Sequence, residues 1–288
     1  MSRLDWNREG RHWPHRAASG FVESGGKRWH VQQMGSGKTI LLIHGTGASC
    51  HSWRGVIPML AEDYHVIAPD LPGHAFTQSP GAAMTLPAMA RSLWQLLDTL
   101  EERPVLIVGH SAGAAIALQM LRERDASLPV VGFSAALAPF PGLGAQAFPL
   151  LAKLLFVNPL VPRLFSGFAR LGGDTGRFLE RATHSRIDED GLRCYDILLG
   201  NSRHCRGALA MMANWNLEGL SAALPQLKSE VLLVHADRDA AIPIASVQEA
   251  AARLPNGRLE TWSGLGHLAH EERPAAAAEV IGAFAAQI

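Results

Sequence analysis

Cysteine is scarce: Cys50, Cys194 and Cys205 are the only three in 288 residues. Scattered and odd in number, they exclude a disulfide framework as the source of stability and point to a reducing, cytoplasmic setting. Neither sign of charge prevails. Lys plus Arg and Asp plus Glu number 26 each, so nucleic acid is not expected as a partner. No uninterrupted apolar run approaches the roughly 20 residues of a transmembrane segment. The first ten residues are polar and hold no signal-peptide core. What the chain does have is apolar side chains, 48% of its residues, enough for a sizeable core. The length suits one large α/β domain, or a core with an inserted subdomain.

One stretch, Pro104 to Met120, organises the rest. The apolar run Val105 to Val108 predicts a buried strand, and the small residues from Ala112 onward predict a tightly packed helix. Between them lies Gly109-His110-Ser111-Ala112-Gly113, the Gly-x-Ser-x-Gly pattern of a nucleophile elbow. A turn that sharp leaves no room for side chains two positions before and after the serine. It lifts the Ser111 hydroxyl above the sheet, where it can attack a carbonyl.

Upstream, residues 1–25 read as a leader lying against the domain. His12 and His15 have no Cys/His cluster nearby that would make them metal ligands. Lys27 to Met34 alternates apolar and polar residues, as an edge strand does. Gly35-Ser-Gly-Lys38-Thr39 resembles the end of a Walker A loop, but the required earlier glycine is Gln32, and a strand, Thr39 to Ile43, follows instead of a helix. A hairpin turn is expected there. That strand runs into His44-Gly45-Thr46-Gly47, whose glycines let the backbone approach a ligand closely. The loop lies one strand-helix-strand unit before the elbow. Its Thr46 N–H and that of Ala112 are the candidate oxyanion-hole donors. Further strands are expected at His65 to Asp70 and Pro129 to Leu137, and a helix at Met84 to Leu100. This alternation implies a parallel sheet with right-handed crossovers.

From Ala138 to about Ala223 the strands disappear. Helix-like segments follow, including Asp188 to Leu199 and Gly207 to Trp215. The expected organisation is a core of residues 1–137 and 224–288, with residues 138–223 inserted as a helical cap. Between residues 153 and 186 the basic side chains Lys153, Arg163, Arg170, Arg177, Arg181 and Arg186 face only Asp174 and Glu180. Two readings stand: solvated helix surfaces, or a rim that meets the carboxylates of a ligand.

Strands resume at Glu230 to Ala236, followed by Asp237-Arg-Asp239. A carboxylate leaving a late strand is where an acid partner belongs. Asp239 is the choice and Asp237 its rival. After the last strand, Arg258 to Trp262, His267 follows two closely spaced glycines, as a general base should; His270 reads as structural. The order Ser111, Asp239, His267 is the order of one known triad architecture.

Together the elbow, the His-Gly loop, Asp70-Leu-Pro-Gly-His74 and the Asp239 and His267 segments resemble the α/β-hydrolase superfamily over about residues 25–137 and 224–288. One departure is Ala75, where that loop usually continues with glycine. A narrower likeness spans nearly the whole chain. Trp13-Pro-His-Arg, Arg28-Trp-His-Val-Gln, Gly45-Thr-Gly-Ala-Ser, Pro139-Phe-Pro-Gly, Asn158-Pro-Leu-Val-Pro-Arg-Leu-Phe, Met211-Met-Ala-Asn-Trp-Asn and Gly264-Leu-Gly-His-Leu-Ala-His-Glu-Glu-Arg-Pro are similar to the magnesium-chelatase accessory family of bacteriochlorophyll biosynthesis. That resemblance implies photosynthesis, a tetrapyrrole as the small-molecule substrate and magnesium chelatase subunits as partners. The wider resemblance implies an α/β fold with a mostly parallel central sheet, helices on both faces and an inserted cap. The expected activity is ester-type acyl hydrolysis by Ser111, His267 and Asp239, a chemistry that requires no metal or organic cofactor. The alternative is a non-catalytic porphyrin-binding or chelatase assembly factor on the same fold.

Overall fold

Eight strands pair into one sheet in the order β1-β2-β4-β3-β5-β6-β7-β8. The structure, a computed structural model, describes residues 3–138 and 174–287. The strands are β1 Ser19–Ser24, β2 Lys27–Met34, β3 Thr39–Ile43, β4 His65–Pro69, β5 Pro104–His110, β6 Val130–Phe133, β7 Val231–Ala236 and β8 Gly257–Trp262. From β4 to β8 all neighbours run parallel, while β1–β2 and β2–β4 are antiparallel. The parallel strands read as continuous apolar runs because both of their faces are covered. In β3, Leu41 and Ile43 face one core cluster and Ile40 and Leu42 the other, the period of two that a pleated strand imposes. On the first face pack α2 (Leu86–Thr99), α3 (Ala112–Arg124) and, later in the chain, Ile244–Arg253. The opposite face is covered by the Cys50–Trp53 turn, α1 (Ile57–Leu60) and the helix Pro274–Ala285.

Two expectations need correcting. Lys27 to Met34 is not the edge: Ser19 to Ser24 forms an outer strand beside it, with Phe21 opposite His30. Nor is Gly35 to Lys38 a hairpin turn. β2 and β3 flank β4 on opposite sides, so these residues carry the chain past β4. Gly35 is needed there, at φ +80, because a Cβ would lie 2.1 Å from the Tyr64 carbonyl oxygen.

The leader does lie against the domain. Trp13 is buried, and Trp6 and Trp13 both pack edge-on against Phe76. His15 donates from Nε2 to the Arg54 carbonyl at 2.6 Å, and His12 is exposed. Among the described residues of the interval 138–223 there are helices and no strand: α4 Thr175–Thr183, α5 Glu189–Leu199, α6 Ser202–Ala213 and α7 Glu218–Ala223. Side chains of Asp174, Asp188 and Asn201 cap the first three of these by accepting from the first-turn amides, which satisfies otherwise orphaned donors. α6 begins five residues earlier than the sequence suggests, because Asn201 supplies the cap.

The elbow obeys a steric rule that the sequence announced. Ser111 sits at φ 53, ψ −116 between β5 and α3. A Cβ on Gly109 would fall 2.4 Å from the Ala114 nitrogen, and one on Gly113 would fall 2.2 Å from the Ile43 carbonyl oxygen. Both obstacles are backbone and cannot rotate away. Gly109→Ala and Gly113→Ala are therefore each expected to destabilise the fold by more than the about 1–3 kcal/mol of ordinary core overpacking, read as a fall in the chemical-denaturation midpoint.

Candidate active site

β5 delivers Ser111 to the carboxyl edge of the sheet, and the loops after β7 and β8 carry Asp239 and His267. His267 Nδ1 lies 2.8 Å from Asp239 Oδ2. The other carboxylate oxygen, Oδ1, accepts the Ala241 and Ile242 amides at 2.8 and 2.9 Å. Burial pushes the Asp239 pKa up, but the hydrogen bond and charge of His267, with the Ile242 amide, outweigh it and leave the carboxyl below its ordinary value. Asp237, the rival, is exposed and accepts the Gly264 amide at 2.8 Å, holding the turn that leads to the base. Geometry thus separates two aspartates that the sequence left competing.

His267 is held by its backbone. His267 N–H donates to the Thr183 carbonyl at 2.8 Å, and its own carbonyl accepts from His110 Nε2 at 3.0 Å. Because a carbonyl only accepts, His110 carries its proton on Nε2. Burial and then the neighbouring His267 charge push the His110 pKa down to about 3. The residue between Gly109 and Ser111 is therefore a neutral strut under the base, a role that no motif identified.

The candidate oxyanion loop presses against the elbow: a Cβ on Gly45 would lie 2.8 Å from His110 Nδ1 and 3.2 Å from Ser111 Cβ. His44 orients it. Leu71 N–H donates to His44 Nε2 at 2.9 Å, so Nδ1 bears the proton and donates to the Gly45 carbonyl at 2.8 Å. In a trans peptide the N–H points opposite the C=O, so this bond turns the Thr46 amide away from His44. His204 of α6 fixes the loop from the other side. Ala75 N–H donates to its Nδ1 at 3.0 Å, which leaves Nε2–H to donate to the Gly47 carbonyl at 3.0 Å. Ala75 holds φ +40, the left-handed conformation that glycine adopts freely; here alanine accepts the strain and keeps the contact. Burial pushes the His204 pKa down to about 4. Met211 of the same helix meets Thr46 Oγ1 at 3.5 Å.

The α/β-hydrolase fold family matches residues 38–274. The chain belongs to that family. It is 40% identical to the magnesium-chelatase 30 kDa subunit of Rhodobacter capsulatus over 90% of this chain and 91% of that protein. It is 29% identical to the pimeloyl-[acyl-carrier protein] methyl ester esterase of Aromatoleum aromaticum, over 81% of this chain and 93% of that one. Among solved structures it is similar to an α/β-hydrolase fold protein from Burkholderia ambifaria, with a TM-score of 0.77, 21% identity and coverage of 92% of this chain and 97% of that one. On this scaffold the chain is a serine-type hydrolase.

The α/β-hydrolase core contains a second serine–histidine–carboxylate set. Ser52 Oγ donates to Glu271 Oε1 at 2.6 Å and lies 2.8 Å from His270 Nε2. A hydroxyl has one proton, and here it goes to the carboxylate, so His270 must donate and cannot act as base toward Ser52. Ser52 is 1% and His270 0% exposed, sealed from any substrate. Glu271 also accepts from Tyr195 at 2.8 Å and from Arg54 at 2.5 Å, and Arg54 reaches on to Asp188, the cap of α5. A Cβ on Gly191 would strike the Arg54 guanidinium. The nearby charge of Glu271 overcomes burial and holds Arg54 protonated. This network fastens α5 to the segment beside the base, as the structural reading of His270 expected.

His30, Cys50 and Asp70 bring donor atoms within 4.8 Å of one another, all buried. Hydrogen bonds within the trio and to a backbone amide already use several of these atoms. His30 Nδ1 is 2.7 Å from Asp70 Oδ2, Asp70 Oδ1 accepts the Cys50 amide at 2.9 Å, and burial pushes the Cys50 thiol well up. The trio ties β2 to two loops. Of the basic residues of the interval, Arg177 pairs with Asp174 at 3.0 Å and Arg186 with Glu180 at 2.6 Å; Lys153, Arg163 and Arg170 lie outside the described residues, as do the Pro139 and Asn158 motifs. No described helix is long and apolar enough to cross a membrane.

Two outcomes follow from these buried groups. Glu271→Gln leaves Arg54 charged and short of its buried partner, so a loss of about 3–5 kcal/mol is expected, measured by urea unfolding. His110 and His204 are held neutral near pH 5, whereas in the unfolded chain they charge below about 6.5. The unfolded state then binds more protons, so stability falls with falling pH between about 6.5 and 4 and is level above it. Each of the two adds about 1 kcal/mol per pH unit to that slope, and urea unfolding at pH 7, 6 and 5 measures it.

Proposed function

We propose that this chain hydrolyses a carboxylic ester with Ser111 as nucleophile, His267 as general base and Asp239 as its acid partner. The observation that carries the reading is the 2.8 Å contact between His267 Nδ1 and Asp239 Oδ2, beside a serine on a strained elbow. Asp239 fixes the Nδ1–H tautomer, leaving Nε2 to take the Ser111 proton as the oxygen attacks. Negative charge then develops on the former carbonyl oxygen, facing the Thr46 and Ala112 amides. One such donor is worth about 3–4 kcal/mol in comparable sites. Protonated His267 passes its proton to the leaving alcohol, and water, activated by the same imidazole, releases the acid.

Residues 138–223 serve as a cap over this site, with α6 backing the oxyanion loop. The likeness to the magnesium-chelatase 30 kDa subunit supports a tetrapyrrole ester of bacteriochlorophyll biosynthesis as substrate, with chelatase subunits as partners in the cytoplasm of a photosynthetic cell. The likeness to a methyl ester esterase supports the ester linkage. That same 40% identity also favours a second reading, a porphyrin-holding assembly factor that leaves the triad idle.

A fluorophosphonate probe distinguishes them. Rapid labelling of Ser111, abolished in Ser111→Ala and His267→Ala, is the expected result. Turnover of short activated esters should fall by about 10³-fold or more in those variants and in Asp239→Asn, and by less than about threefold in Asp237→Asn, which removes a turn contact only. Full turnover by Ser111→Ala would overturn the mechanism.

A further inference from the structure

α6 and the segment 73–85 line a cleft of about 410 Å³. Arg203 and Arg206, three positions apart on α6, share its wall with Arg3 from the leader, and no Asp or Glu is among its described lining residues. Arg203 is half-buried, and burial followed by the charges of Arg3 and Arg206 lowers its pKa. Arg3 spends one donor on the Gln78 side-chain oxygen. Below this rim the cleft offers Leu4, Phe76 and Met84, an apolar surface of a size to cover one small ring system. Like charges gathered at a partly dry wall repel, and an anion placed among them relieves that repulsion.

We infer that this cleft is a binding site for a small organic anion whose carboxylates face the arginine wall and whose apolar body lies on Leu4, Phe76 and Met84. Guanidinium groups pair with carboxylates through two parallel hydrogen bonds, which a neutral ester cannot reproduce. The site is separate from the triad, since Ser111, Asp239 and His267 do not line it. It shares a wall with the oxyanion loop. His204 lines the cleft and holds the Gly47 carbonyl, and Ala210 lines it next to Met211, which touches Thr46. An occupant therefore rests on the helix that fixes the candidate oxyanion donors.

Isothermal titration of the full chain with benzene-1,3-dicarboxylate, its dimethyl ester and inorganic phosphate tests this without reference to hydrolysis. The expected result is saturable binding of the diacid that weakens with added salt and falls about tenfold or more in Arg203→Gln. The exposed Arg206→Gln should weaken it too, while Ser111→Ala should leave it unchanged. Thermal unfolding of each variant, unchanged from the parent, shows that the fold persists. Three results would each overturn the inference: no saturable binding at millimolar diacid, equal binding of the diester, or affinity unaltered when both arginines are replaced. Phosphate binding more tightly than the diacid overturns the assignment to an organic anion.

Discussion

The site depends on a backbone-to-backbone contact. Gly113, the first turn of α3, sits against the carbonyl oxygens of Ile43 and His44, where β3 ends. That contact joins the element carrying the nucleophile to the element carrying the oxyanion loop at a separation no side chain could bridge. Gly45 repeats the arrangement one step on, against His110 and Ser111. Because peptide planes rather than rotamers set these distances, the proposed nucleophile and amide donors are aligned by the sheet itself. Such alignment costs no reorganisation when charge appears. The strain at Ser111, a non-glycine at positive φ, persists because β5, β6 and α3 hold it from three sides: its N–H donates to Phe133, and its carbonyl accepts from Ala114 and Ala136.

Around that alignment the protein uses neutral imidazoles as polar struts. His44, His110 and His204 each have one ring nitrogen directed at a backbone carbonyl of the base or oxyanion loop. In His44 and His204 the other nitrogen accepts a backbone amide. A histidine in this role offers a donor and an acceptor at fixed separation, which suits two loops that must be clamped side by side. Burial keeps all three uncharged, so none adds a positive charge beside His267.

Much of this was legible in local sequence and some was not. The elbow announced itself because a steric rule fixes residue types within five positions. Asp239 and His267 could be placed by chain order, though only the fold separates Asp239 from Asp237, whose side chain turns back to Gly264. β1 was overlooked because Ser19-Gly-Phe-Val-Glu-Ser lacks a clean alternation, and its pairing with β2 supplies the order that its sequence does not. Gly35 to Lys38 resembled a hairpin since a short glycine loop between strands usually is one. That β4 would insert between the two strands is a long-range fact. His204 carries no motif at all. Its meaning comes from Gly47 and Ala75, each more than 125 residues away, and the Arg54–Glu271 pair spans 217 positions.

The separation of acid, base and nucleophile along the chain has a consequence in time. His110, beside the nucleophile, precedes the base that it supports by 157 positions. At synthesis rates of about 5–20 residues per second, Ser111 exists for roughly ten to thirty seconds before His267 is made. Throughout that interval the elbow can close on β3 and β5 while its serine remains an ordinary alcohol. On the proposed mechanism an emerging chain thus carries no activated oxygen to acylate, and reactivity arrives in one step, when the β8 loop docks.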